Sequence, residues 1–186
     1  MLRIVLSPLL VVITVILIPS IGSALFFLPL ILALSVSIVN FRKLKINNKY
    51  FGVFLTVVQS YAVFLGLAVS LFVLDALLED VTLVSNNESG LIGIILFTMG
   101  GFLAALLLFY FQMFVFNVDN KRFAFLTIAI CYAAIVIVMQ VFSKNEFLQF
   151  GVEKFASFLI SWIIFMSLAY SIALNRTALM QFLKKG

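Results

Sequence analysis

The sequence predicts an all-α membrane protein, a bundle of six transmembrane helices with short loops and both termini in the cytoplasm. Three observations lead there. Of 186 residues, 65% are hydrophobic and only 10% charged, with 22 phenylalanines and a mean hydropathy of +1.29. A soluble domain carries roughly a quarter of its residues charged, so too few charges are present to clothe a water-facing surface. The charges interrupt the chain at intervals of about one bilayer crossing, which takes about 20 apolar residues. Finally, the basic residues fall almost entirely into alternate loops.

The spans follow from the charge-free stretches. Tyr50 to Leu74, Leu91 to Phe116, Phe123 to Phe142 and Phe155 to Leu174 each contain no charged residue and each has the length of one crossing. The first stretch is longer, with 38 uncharged residues between Arg3 and Arg42, about 57 Å as one helix at 1.5 Å per residue. Pro19-Ser20-Ile21-Gly22-Ser23 lies at its centre. Proline lacks the helical donor, while glycine and serine favour turns, which divides the stretch into two short spans. A single tilted or kinked helix is the alternative. The expected spans are thus residues 3–19, 22–39, 50–74, 91–116, 123–142 and 155–174, in one membrane domain covering 1–186. A signal-peptide reading, with Arg3 as its charged region and Gly22-Ser23-Ala24 as a cleavage site, is less simple, because the apolar run continues to Val39.

Orientation comes from lysine and arginine, whose presence near span ends resists translocation. With six spans, one side holds Arg3, Arg42, Lys43, Lys45, Lys49, Lys121, Arg122, Arg176, Lys184 and Lys185, ten of the twelve basic residues. The other side holds Lys144 and Lys154 and six of the seven acids, leaving Asp119 among the basic loops. The basic side is expected to be cytoplasmic, in a bacterial inner membrane. The charge balance therefore reflects sorting across a bilayer, with no module for nucleic acid. The tail, Thr177 to Lys185, should lie on the inner interface, with Leu179, Met180, Phe182 and Leu183 toward acyl chains and its lysines toward headgroups.

Helices in lipid associate through small residues and interhelical hydrogen bonds. Four spans have such residues on one face: Thr56, Gln59, Ala62, Gly66 and Ser70 on the third; Thr98, Gly101, Ala104, Ala105 and Gln112 on the fourth; Ala124, Thr127, Cys131 and Ala134 on the fifth; Ser157, Ser161, Ser167 and Ser171 on the sixth. These faces are expected to point inward, either as plain packing or as the lining of a weakly polar ligand pocket. On the pocket reading Gln59, Gln112, Ser157 and Ser161 orient the solute, and Tyr61, Trp162 and Tyr170 add contacts. Phe109, Phe111, Phe114 and Phe116 are expected to face lipid. The acidic group Asp75, Glu79 and Asp80, beside a span end on the outer side, could attract a cation. The plainer expectation is that the third span stops near Leu74 and that Asp75 caps a short interfacial helix.

The chain has no histidine and one cysteine, Cys131, which removes the commonest base, the commonest metal ligand and thiolate metal sites. No carboxylate lies within an expected span, so an intramembrane relay has no candidate residue. Neither a catalytic residue, a metal site nor a cofactor is expected. By subtraction, the expected function is that of a non-enzymatic subunit or assembly partner of an envelope or transport complex, in contact with lipid and with a partner protein or further copies of itself. A small-solute transporter or membrane binding component, with its cavity between the third to sixth spans, is the alternative.

Overall fold

A computed structural model describes residues 2–17, 21–81, 88–142 and 152–184. Seven helices account for them: α1 (Leu2–Leu17), α2 (Ile21–Val39), α3 (Lys49–Val81), α4 (Glu88–Val115), α5 (Lys121–Phe142), α6 (Val152–Leu174) and the short α7 (Arg176–Leu183). No strand occurs among the described residues. The long first stretch carries two helices, α1 and α2, and residues 18–20, where the break between them is expected, lie outside the described residues. Helices α1 and α2 continue through Pro8 and Pro29 respectively.

By length and composition, α3 and α4 can each cross a membrane among the described residues, and α6 with α7 makes a third candidate if that pair, bent by 80°, counts as one span. Helix α1 and the described part of α2 are shorter apolar helices. The 16 residues of α1 reach only about 24 Å, short of a hydrocarbon core of about 30 Å.

The helices pack as a ring in which α2, α3, α4, α5 and α6 each touch the next and α6 closes on α2; α1 lies in the groove between α2 and α6. Short connections force antiparallel neighbours, so the ring follows chain order. Among the described residues α6 is the most enclosed helix, with Leu159, Trp162, Ile163, Met166, Ala169, Tyr170, Ala173 and Leu174 all buried and no exposed residue from 159 to 174. Aromatic contacts tie it across the ring: Tyr170 stacks on Phe109 of α4 at 5.7 Å, and Trp162 meets Phe64 of α3 edge-on at 6.5 Å.

The bundle is apolar outside and partly polar inside. Leu2, Val5, Leu9, Ile13 and Ile16 on α1, and Met99, Leu103, Leu107, Tyr110 and Phe114 on α4, form exposed rows at helical spacing. Ser7, Ser35, Ser37, Asn40, Thr56, Ser60, Gln112, Thr127, Ser167, Ser171 and Asn175 are buried. Water would penalise that outside, since soluble proteins rarely expose apolar patches beyond a few hundred Å². Lipid does not.

Three expectations are corrected. α3 does not stop near Leu74: it runs unbroken to Val81, because Ala76, Leu77, Leu78 and Glu79 are good helix formers with no proline or glycine among them. Asp75 is therefore interior to α3 and caps nothing. Phe109 and Phe116 are buried and only Phe114 of that group is well exposed; Phe109 shares a helical face with Ala105 and Gln112, which looks into the ring, and Phe116 follows directly after α4. Thirdly, the small-residue face of α3 does not all point inward. Burial follows the narrower line Gly52, Thr56, Ser60 and Val63, whereas Ala62, Gly66 and Ser70 are exposed. Ser70 can face lipid at little cost because its hydroxyl donates to the Gly66 carbonyl at 2.7 Å.

Candidate functional site

The best-defined polar structure is at the basic end of the ring. The segments after α2 and α4 pair there in a short antiparallel bridge between Leu44 and Phe116, with Lys45 N–H donating to Val115 O and Asn117 N–H to Lys43 O, both at 2.8 Å. Leu44 and Phe116 are buried and plug the end of the bundle. Helix starts are capped by asparagine: Asn48 Oδ1 accepts from Phe51 N–H at 3.2 Å and Asn120 Oδ1 from Phe123 N–H at 2.8 Å, satisfying donors that the first helical turn leaves free. Helix ends are met by cations, with Lys45 Nζ donating to Met113 O at 2.8 Å and Lys43 Nζ to Leu174 O. A positive charge is favourable at that pole of the helix dipole.

Asp119, the one acid on the basic side, accepts a hydrogen bond from Thr177 Oγ1 at 2.8 Å and lies 3.8 Å from Lys43 Nζ. It thus joins the α4–α5 connection to the start of α7 and to the α2–α3 connection. Arg176 lies over the Phe123 ring at 5.3 Å, within cation–π range. Beneath these, Asn175 Nδ2 donates to Asn40 Oδ1 at 2.7 Å and to Ser171 O at 2.9 Å, while Asn40 Nδ2 donates to Val36 O at 2.9 Å. The sequence pattern alone does not predict this network. The signal available was an asparagine directly after α2 and another directly after α6, Asn40 two residues before Arg42 and Asn175 directly before Arg176.

Of the expected ligand residues, Gln59 and Gln112 lie at different depths in the bundle. Gln112 is 2% exposed, and neither its amide nitrogen nor its oxygen has a partner among the described residues. Gln59 is half-buried with its oxygen unpartnered there. Gln59 lies ten residues into α3 and Gln112 three from the end of α4, which at 1.5 Å per residue separates them by about 10 Å in depth. Ser161 is half-buried, and Ser157 belongs to α6 with its side chain outside the described residues. Asp75, Glu79 and Asp80 occupy the final turns of α3, their side chains likewise outside the described residues. Among the described residues no three histidine, cysteine or carboxylate groups gather to hold a metal.

Ser37 and Ser171 are the polar residues that matter more. Both are fully buried, and neither hydroxyl has a partner among the described residues. Ser171 belonged to the expected inward face of the sixth span; Ser37, in an otherwise apolar run, did not stand out.

The chain matches no protein-family model, and no curated protein or solved structure proves similar to it.

Proposed function

We propose that this chain is a non-enzymatic, six-span protein of a bacterial inner membrane, with both termini cytoplasmic, that serves as a subunit or assembly partner of an envelope or transport complex. The observation that carries the reading is the outward small-residue face of α3. Ala62, Gly66 and Ser70 repeat at four-residue spacing and are exposed, flanked by the exposed Val58, Leu65, Val69 and Val73. A Cβ added at Gly66 would meet nothing within 4 Å. Such a groove lets a second helix approach closely, and dispersion contacts of this kind are what associate helices in lipid.

Gly66→Leu is the test, because it disturbs nothing inside the chain. Native mass spectrometry after gentle solubilisation should show the wild type with a stoichiometric partner or as an oligomer, and the variant should lose that species while keeping its helical content. A wild type that is monomeric and alone overturns the reading.

The membrane lipids are the other partner. The 80° bend between α6 and α7 turns α7 across the basic end with Met180 and Phe182 exposed, which suits an interfacial helix. Topology is tested separately by labelling from outside in a cysteine-free background. Ile21→Cys and Asn86→Cys should both be labelled if six spans cross; protection at 21 with labelling at 86 would replace α1 and α2 by a single crossing.

Solute transport or binding is the second reading, favoured by the unpartnered amide of Gln112 in the bundle interior.

A further inference from the structure

Hydroxyls inside these helices usually return their proton to the preceding turn. Thr14, Ser35, Thr56, Ser70, Thr127 and Ser167 each donate to a carbonyl three or four residues earlier. Ser37, Ser60 and Ser171 have no partner among the described residues, although all three are buried; Ser60 lies on α3, away from the α2–α6 contact, and the other two flank it. Leaving such groups without a partner is costly, and more so in a low-dielectric interior.

Helical geometry places these two serines and Gln112 at one level. Asn40 and Asn175 are in direct contact where α2 and α6 meet. Ser37 precedes Asn40 by three residues and Ser171 precedes Asn175 by four, so both lie within about 60° of that interface and about 5–6 Å deeper. On α4, the Ala105 carbonyl accepts from Tyr170 Oη of α6 at 3.1 Å, and Gln112, seven residues later, lies about 20° from Ala105 around the helix. Gln112 therefore also faces α6, about 5 Å from the end of α4.

We propose that Gln112, Ser37 and Ser171 form a buried site, at the junction of α2, α4 and α6, for a small uncharged molecule that both donates and accepts hydrogen bonds. Water is the smallest member of that class; a small alcohol or amide has the same chemistry. The amide decides the class. Its free oxygen needs a donor, which a metal cation satisfies only by coordination while leaving the amide nitrogen unpaired. Its free nitrogen needs an acceptor, which an anion supplies while facing the same oxygen. A neutral molecule with both functions satisfies both atoms, and the serine hydroxyls can take either role. A buried water commonly makes about three such bonds. Leu44, Phe116 and the Asn40–Asn175 pair close the site toward the basic end. It retains Gln112 from the solute-binding reading, has Ser37 and Ser171 in place of Gln59, Ser157 and Ser161, and stands whether or not the chain has a protein partner.

The full chain in nanodiscs, pulsed with hydroxyl radicals in ¹⁸O-labelled water, tests this. Tyr170 and Phe109 are buried, and a dry interior leaves them unlabelled. Bound water should label them in the wild type several-fold above Gln112→Leu, with exposed Tyr50 unchanged in both. Absence of that label, together with a small neutral compound released on denaturing the wild type and lost in Gln112→Leu, identifies a solute as the occupant and equally supports the site. A wild type with no label and no released compound overturns the proposal, whether or not Gln112→Leu folds. So does a Gln112→Leu variant that is more heat-stable than the wild type, the result for an empty site relieved of an unpaired amide.

Discussion

Tyr170→Ala is expected to destabilise the bundle by about 3 kcal/mol, near the lower end for truncating a buried aromatic. The residue is completely enclosed, its ring stacks on Phe109, and its hydroxyl donates to the Ala105 carbonyl. In water much of the penalty for such a truncation is lost transfer energy. Within a bilayer that part largely vanishes, because the unpacked chain also sits among apolar tails. What remains is the cavity, the lost dispersion contacts and one hydrogen bond. Tyr170→Phe separates these contributions: it keeps the stack and removes only the hydroxyl, so it should cost about 1 kcal/mol or less. The measurement is reversible unfolding of the reconstituted chain in mixed micelles. Equal losses in the two variants would show that the hydroxyl, and not the packing, holds α6 to α4.

The contrast between α3 and α6 shows where the sequence is informative. Charges at Arg42, Lys49, Lys121 and Arg176 bound the helices because a charge is expensive in hydrocarbon: α2 and α6 end within three residues of one, and α3, α5 and α7 begin on one. Inside a helix the sequence has less to say about direction. In lipid, leucine, phenylalanine and alanine are acceptable on either side, so neither Gly66 nor Phe109 announces which way it faces. Even serine is ambiguous when its hydroxyl returns to its own helix, as Ser70 does. Direction became readable only from partners distant in sequence. Phe109 faces inward because Tyr170 is there, and the Asn40–Asn175 contact joins residues 135 apart. The reading of Gln112 as interior needed less, since a primary amide has no means of satisfying both its atoms on its own helix. That is why it was legible while Ser37, two positions after another serine in an apolar run, was not.

The Asn40–Asn175 pair should respond asymmetrically to substitution. Asn175→Leu removes the donor to Asn40 Oδ1 and leaves that oxygen buried without a partner, which should cost about 2 kcal/mol. Asn40→Leu removes only one of two acceptors from Asn175, whose amide still donates to Ser171 O. The Val36 carbonyl also keeps a donor in that variant, since the backbone N–H of residue 40 bonds it at 3.0 Å. The loss for Asn40→Leu should therefore be about 1 kcal/mol or less. In the double variant the orphaned oxygen disappears along with its donor. Its cost should fall below the sum of the single variants by about 1 kcal/mol, a coupling of the size expected for residues in direct contact. Additivity within error, or a greater loss for Asn40→Leu, would contradict the arrangement. The effect should also reach α7, because Asn175 occupies the bend that turns α7 away from α6. Freed of its tie to α2, the bend should loosen first in Asn175→Leu. Faster hydrogen exchange at the amides of residues 175 to 179 should accompany the lower stability, with exchange in α4 unchanged.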